Sequence, residues 1–75
     1  MTLKEIAQLE KDFLTPTQAA PILGTDPYWL SKMAEKEDTR RALGFPVVRM
    51  GSRTKIPRIP FLRYMGWEGK INGAE

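Results

Sequence analysis

The chain contains no cysteine and no histidine among its 75 residues. Without cysteine it forms no disulfide, and without either residue type it lacks the ligands of a Cys/His zinc site. The missing histidine removes the usual general base at neutral pH and leaves a serine or threonine nucleophile with no obvious activator. We therefore expect no enzymatic activity, no cofactor and no metal, and the absence of cysteine fits a cytoplasmic protein.

Long apolar runs are also missing. The first residues, Met1 to Ile6, contain no apolar segment of the kind found in signal peptides, and the longest apolar run in the chain is only a few residues long. We therefore expect no contact with a membrane. The length corresponds to one domain, and a domain this small buries only about 60% of the surface that its unfolded chain exposes, so its core must be thin.

Acidic residues are scarce in one part of the chain. Residues 39–70 carry eight Lys or Arg side chains and one Glu, whereas residues 1–38 carry four Lys and seven Asp or Glu. A positive segment beside a negative one is typical of a protein that binds a polyanion such as nucleic acid.

Two patterns of a capping residue followed by proline predict a pair of short helices. The first begins at Thr15-Pro16-Thr17-Gln18 and ends at Gly24, and the second begins at Asp26-Pro27 and covers about residues 27–36. Leu30, Met33 and Ala34 recur at helical spacing and predict the core face of the second helix. The short connection predicts a helix-turn-helix, whose second helix enters the DNA major groove with its first residues toward the bases.

Residues 46–58 predict a β-hairpin with cationic side chains. Two alternating segments flank the predicted turn Gly51-Ser52-Arg53-Thr54. Val48, Met50 and Ile56 are expected to face inward, leaving Arg49, Arg53 and Lys55 toward solvent. After a helix-turn-helix, such a hairpin is the wing of a winged DNA-binding domain. The predicted fold is therefore a small α+β domain, mainly α, of the winged helix-turn-helix class with a two-stranded wing.

The remaining elements are short. A capping box at Thr2 predicts a helix over residues 3–11, and residues 13 and 14 are predicted to be extended. Residues 37–45 are predicted to form a polar connector with one helical turn. Pro60 is predicted to begin a last helix, which ends at Gly66. We divide the chain into an N-terminal extension (1–12), the winged helix-turn-helix domain (13–66) and a short C-terminal tail (67–75).

Several of these segments together resemble one protein family. The segments are Leu14-Thr15-Pro16-Thr17-Gln18-Ala19-Ala20, Leu23-Gly24-Thr25-Asp26-Pro27, Phe45 to Arg58, and Phe61-Leu62. They resemble the small excisionases of phages and mobile elements, which belong to the winged-helix group related to the DNA-binding domain of the mercury-resistance regulators. The resemblance covers about residues 13–66.

The resemblance implies which residues contact DNA. It implies major-groove contacts by the second helix, through Tyr28, Trp29, Ser31 and Lys32, and contacts by the wing with an adjacent minor groove, through Ser52, Arg53 and Lys55. Three further arginines, Arg49, Arg58 and Arg63, are candidates for phosphate contact on charge alone, with solvated surface as the equal alternative.

Three functions stay open at the level of the sequence. The resemblance implies an excisionase, a recombination directionality factor that binds and bends attachment-site DNA and steers a phage-type integrase. A transcriptional regulator on the same fold is the nearest alternative. Such regulators carry a dimerising helix after the wing. Since only nine residues follow Gly66 here, we expect this protein to be a monomer or to bind cooperatively to tandem sites. The third is a protein-interaction module that docks through Leu3, Ile6, Leu9, Trp67 and Ile71.

Overall fold

The chain is built from short helices and short strands. The computed structural model describes residues 2–73, which form five helices and one three-stranded antiparallel sheet. The elements are α1 (Leu3–Ala7), β1 (Phe13–Leu14), α2 (Pro16–Leu23), α3 (Pro27–Glu35), α4 (Glu37–Arg41), β2 (Val48–Met50), β3 (Arg53–Pro57) and α5 (Arg58–Tyr64). The chain is thus a small, mainly helical α+β domain, as predicted. None of the helices within residues 2–73 has the length and apolar character needed to cross a membrane.

The predicted helix starts of α2 and α3 are confirmed. At the start of α2, the Gln18 backbone N–H donates to Thr15 Oγ1 (3.3 Å) and the Thr15 N–H donates to Gln18 Oε1 (3.0 Å), which completes the capping box. At the start of α3, the Trp29 N–H donates to the Asp26 carboxylate at 2.7 Å. Gly24 lies between the two helices with φ +80°, a conformation that strains any residue with a Cβ.

The first helix begins as predicted but ends earlier. The Thr2 N–H donates to the Glu5 carboxylate, and this backbone hydrogen bond is the main reason why the pKa of Glu5 lies below its ordinary value. The predicted helix over residues 3–11 ends at Ala7 instead. The carbonyl groups of Ile6 and Ala7 accept hydrogen bonds from a distant guanidinium, that of Arg58, so the local pattern alone does not set the helix end.

The predicted polar connector contains a helix of its own, α4. Thr39 Oγ1 donates to the Met33 carbonyl at 2.6 Å, and Arg40 Nε donates to the Ala34 carbonyl at 3.1 Å. Both carbonyls lie near the C-terminal end of α3, where the last backbone acceptors lack partners within their own helix. The connector thus caps α3.

The sheet has the strand order β1-β3-β2, so the predicted hairpin is extended by a third strand. Phe13 lies opposite Pro57 and Leu14 opposite Ile56. In the hairpin, Met50 pairs with Arg53, which leaves Gly51-Ser52 as a two-residue turn. The predicted four-residue turn is therefore too long, because Arg53 and Thr54 are already part of β3.

The predicted facing of the hairpin is wrong for three residues. Val48 and Met50 are 38% and 59% exposed, and they lie opposite Lys55 and Arg53 on the outer face of the sheet. Arg49 instead lies opposite buried Thr54, on the inner face that packs against α3. The cause is the register of the hairpin: with Gly51-Ser52 as the turn, Val48 and Met50 share a face with Lys55 and Arg53, so they face outward when Ile56 faces inward.

The core joins all parts of the chain. Its buried side chains come from helices, strands and connections alike, and Phe45 contacts Phe61 edge to face with ring centroids 5.3 Å apart. The buried hydrophobic members are Ile6, Ala7, Leu14, Ala19, Ala20, Leu30, Leu43, Phe45, Ile56, Phe61 and Leu62. Since Ile6 belongs to the core and Trp67 and Ile71 pack against it, packing is continuous across the boundaries drawn at 12/13 and 66/67.

Arg58 belongs to this core and not to the surface of the hairpin. The residue is only 2% exposed, and its guanidinium donates to the carbonyls of Lys11 (2.6 Å), Ile6 (3.2 Å), Ala7 (3.1 Å) and Asn72. All of these acceptors are main-chain oxygens, and they tie α1, the segment before β1 and the C-terminal segment to α5. We therefore withdraw Arg58 from the predicted wing contacts, because a buried guanidinium with its donors already bonded does not reach a phosphate.

Candidate functional site

An open groove of about 460 Å³ lies between the helix pair and the hairpin. Three segments line it: the start of α2, the first turn of α3, and the turn of the hairpin with the beginning of β3. The lining residues are Thr15, Pro16, Thr17, Pro27, Tyr28, Ser31, Ser52, Arg53, Thr54 and Lys55. These segments are distant in sequence, and the packing of α2 and α3 on the sheet brings them together.

Five residues that the sequence predicted as DNA contacts line this groove. Tyr28 and Ser31 come from α3, and Ser52, Arg53 and Lys55 come from the hairpin. Tyr28 is 67% exposed, so most of its ring and its hydroxyl group are free to contact a ligand. The groove thus combines an aromatic side chain, two hydroxyl groups from serine and two cations.

Lys32 lies one helical turn after Tyr28. Its ammonium group is 5.4 Å from the centroid of the Tyr28 ring and 3.5 Å from a Glu35 carboxylate oxygen. The lysine and glutamate side chains are both more than a third exposed, so this ion pair contributes little to stability and a phosphate competes for the lysine easily. Lys32 therefore lies beside Tyr28 but does not line the groove; together with Trp29 it lines a separate surface depression along α3.

Trp29 is not in the groove. It contributes to a second open groove of about 410 Å³, which is otherwise lined by Leu23, Thr25, Met33, Ala42, Leu43, Phe45 and Tyr64. Trp29 follows Tyr28 directly, and consecutive residues of a helix point about 100° apart, since a turn takes 3.6 residues. The prediction that both aromatic residues contact one DNA groove is thus not supported by their placement.

Arg49 holds the hairpin against α3. Its guanidinium donates to the Ser31 carbonyl (3.4 Å) and the Gly51 carbonyl (3.1 Å), and it approaches the Glu35 carboxylate at 3.9 Å. Only 23% of the side chain is exposed. The structure therefore places Arg49 as a connection between the two sides of the groove, and not as the solvent-facing wing contact that the sequence predicted.

Lys55 is oriented by the third strand. Its ammonium group lies 5.5 Å from the centroid of the Phe13 ring, and Phe13 belongs to β1 on the far side of β3. A cation over an aromatic face is held by electrostatic attraction, weakly at an exposed site. Lys55 thus has a preferred position at the groove, while Arg53 has no ion pair or side-chain hydrogen bond within residues 2–73.

The electrostatic character of the groove is positive. Arg53 and Lys55 lie on one side, and none of the described residues that line it is acidic. The first turns of α2 and α3 lie on the other side, where the Asp26 carboxylate caps α3 and offsets the partial positive charge of that helix N-terminus. The positive charge therefore comes from the hairpin, and a ligand with negative charges beside the hairpin matches this arrangement.

Sequence reasoning missed the contribution of α2. The capping pattern Thr15-Pro16-Thr17 was used only to place the helix start, yet these residues form one wall of the groove. Thr54 was placed in the turn and lies in the wall as well. The capping pattern marked both helix starts, but only the tertiary packing shows that they open onto the same surface.

The docking surface expected for a protein-interaction module is packed within the molecule. Leu3, Leu9, Trp67 and Ile71 are partly buried against the core, and Ile6 is fully buried. The Asn72 N–H also donates to the Ala7 carbonyl at 2.7 Å, which joins the C-terminal segment to α1. These apolar side chains therefore pack within the domain and do not form a free surface.

Among residues 2–73 there is no group of three or more His, Cys, Asp or Glu side chains arranged to hold a metal ion. Comparisons of the chain with protein-family models, with curated proteins and with solved structures gave no match.

Proposed function

We propose that this chain binds double-stranded DNA as a winged helix-turn-helix protein, with α2 and α3 as the helix-turn-helix and β2-β3 as the wing. The observation that carries the proposal is the groove in which Tyr28 and Ser31 of α3 face Ser52, Arg53 and Lys55 of the hairpin. A helix start and a cationic hairpin on one surface match two neighbouring features of a duplex, the base edges of one groove and the phosphates beside the next.

In this proposal the contacts divide into two kinds. Tyr28 and Ser31, at the start of α3, face base edges in the major groove and contribute sequence preference. Lys32, Arg53 and Lys55 contact phosphates and fix the orientation of the protein on the duplex, because phosphate contacts are the same for every sequence. Arg49 keeps the distance between α3 and the wing constant through its bonds to Ser31 and Gly51.

We further propose that the DNA-binding activity is that of an excisionase, which bends attachment-site DNA for a phage-type integrase. The sequence resemblance over residues 13–66 supports this step, and a transcriptional regulator on the same fold would use the same groove. An integrase gene beside the gene for this chain would favour excision, and recombination of paired attachment sites by that integrase, with and without this protein, tests it.

DNA binding is tested by fluorescence anisotropy with a labelled 30-base-pair duplex pool of random sequence at several salt concentrations. We expect binding that weakens steeply with salt, and Arg53→Ala should weaken it and reduce the salt slope by about one unit. Arg41→Ala is the matched control, because it removes the same charge from an exposed arginine that pairs with Glu37 and does not line the groove. No binding by the wild type, or equal losses in both variants, would contradict the proposal.

A further inference from the structure

The outer face of the hairpin exposes apolar side chains that do not pack against the core formed within residues 2–73. Val48 and Met50 are 38% and 59% exposed, although valine and methionine ordinarily add to the core of so small a domain. Arg49 occupies the inner position between them, where it bonds to α3. The arginine thus directs both apolar side chains outward.

These apolar side chains alternate with the cations of the proposed wing. Met50 lies directly opposite Arg53, and Val48 lies directly opposite Lys55. Side chains of directly paired residues have Cβ atoms about 5 Å apart, so each apolar group contacts the stem of a cationic one. Met50 and Arg53 also flank the two-residue turn Gly51-Ser52, which places this pair at the tip of the hairpin.

The exposed pair of Met50 and Arg53 at the narrow tip of the hairpin matches the minor groove of DNA. The minor groove is about 6 Å wide, so only the tip of a hairpin and its side chains can enter it. Its walls are sugars and phosphates, and its floor is formed by base edges that carry hydrogen-bond acceptors. Proteins that kink DNA insert apolar side chains, methionine among them, between base pairs from this groove.

We propose that Met50 is an apolar wedge that contacts the minor groove and unstacks one base step, while Arg53 neutralises the adjacent phosphate. This inference rests on the proposed DNA binding, and it adds the residue that bends the duplex. It also favours sites with a flexible pyrimidine–purine step under the wing, because such steps unstack most easily.

The test uses a duplex selected from a random pool by the wild-type protein, with a donor and an acceptor dye at its ends and 2-aminopurine substituted at successive positions. The wild type should shorten the dye-to-dye distance and raise 2-aminopurine fluorescence at one step. Met50→Ala should weaken binding by about tenfold, which corresponds to about 1.4 kcal/mol, and should remove both signals. Met50→Leu should retain them, since leucine preserves an apolar side chain of similar size.

Several outcomes would overturn the wedge. If Met50→Ala bends the duplex as the wild type does while Arg53→Ala loses affinity, DNA binding stands and Met50 has no part in bending. If Met50→Ala leaves DNA binding intact and lowers self-association in analytical ultracentrifugation, the outer face is a contact between protein copies. If the wild type selects no duplex, DNA binding itself fails, and the wedge with it. Circular dichroism should show all variants folded, because Met50 is exposed.

Discussion

Three arginines close together in the sequence have three different roles. Arg58 is buried and bonded to main-chain carbonyls, Arg49 is half-buried and connects the hairpin to α3, and Arg53 is exposed at the groove. The charge and the local sequence pattern of the three arginines do not distinguish these roles. The roles differ because of contacts with residues far away in the chain, such as Ile6 and Ser31. The positive charge of residues 39–70 is therefore divided between stability and binding.

For Arg58 we expect a loss of stability. Arg58→Met keeps most of the aliphatic volume but removes the charged donor to the carbonyls of Lys11, Ile6, Ala7 and Asn72, although the Ile6 and Ala7 carbonyls keep their backbone donors. The free energy of unfolding should fall by about 3 kcal/mol, measured by urea titration. Arg63→Met, an exposed position on the same helix, should change it by less than about 0.5 kcal/mol. A stable Arg58→Met protein with weaker DNA binding would restore Arg58 as a DNA contact.

For Tyr28 and Lys32, two exposed side chains one turn apart on α3, we expect different losses. Tyr28→Ala should reduce the ratio of selected to random DNA affinity, because base contacts carry specificity, whereas Lys32→Ala should weaken both affinities by a similar factor. Competition binding at one fixed salt concentration measures both. Should neither variant change either affinity while remaining folded, α3 does not read the DNA.

At the scale of elements, the hairpin and α3 form one unit. Arg49 bonds to carbonyls of both, and the hairpin turn contains only Gly51 and Ser52, so the position of Arg53 relative to Tyr28 is set by few contacts. Loosening the contact between the hairpin and α3 should lower the affinity for DNA without changing the number of phosphates contacted.

Arg49→Ala should therefore weaken DNA binding while the salt slope stays as in the wild type. The reason is that the substitution releases the hairpin from α3 but removes no phosphate contact, and the slope counts phosphate contacts. Parallel salt titrations of Arg49→Ala and Arg53→Ala make the comparison, and amide hydrogen exchange should rise in β2 of the first. A slope reduced by about one unit in Arg49→Ala would show that Arg49 contacts phosphate, as the sequence first suggested.

The local signals in the sequence predicted the elements well, and they predicted the core face of α3, where Leu30 and Ala34 are buried, but the predicted facing of β2 is wrong. Thr15, Asp26 and Gly24 act on their own neighbours, so the starts of α2 and α3 and the turn between them could be predicted. The facing of Val48 and Met50 depends on the Ser31 carbonyl and the Glu35 carboxylate, which accept Arg49 on the inner side. The end of α1 depends on Arg58, about fifty residues away. Such contacts appear only when the chain is folded.

At the scale of the whole molecule, the charge at the groove is smaller than the charge of the basic segment. Arg58 is buried, Arg49 bonds to α3, Arg40 caps α3 and Arg41 pairs with Glu37. The proposed contacts leave Lys32, Arg53 and Lys55. The slope of log K against log salt should therefore be about −3, from about 0.9 per phosphate. A slope near −6, from about 0.9 for each unit of the net charge of residues 39–70, would mean that the DNA covers a wider surface.

The two ends of the described chain pack on each other, on a different part of the molecule from the groove. Asn72 bonds to Ala7 and Leu9, and Trp67 and Ile71 pack against the core. This arrangement stabilises a thin core through the chain ends and separates a structural region from the proposed binding region. Because the two regions are separate, a measurement on individual residues can tell which of them a ligand contacts.

The most direct test of the central claim is a titration of the isotope-labelled protein with a selected duplex, followed by backbone amide chemical shifts. We predict that the largest changes fall on the amides of residues 15, 17, 28–32 and 50–55, since Pro16 and Pro27 carry no amide proton, and that amides of residues 3–9 and 67–72 change little. Changes concentrated on residues 3–9 and 67–72, with the groove residues unaffected, would contradict the account and show that the helix pair and the hairpin do not form the DNA-binding surface.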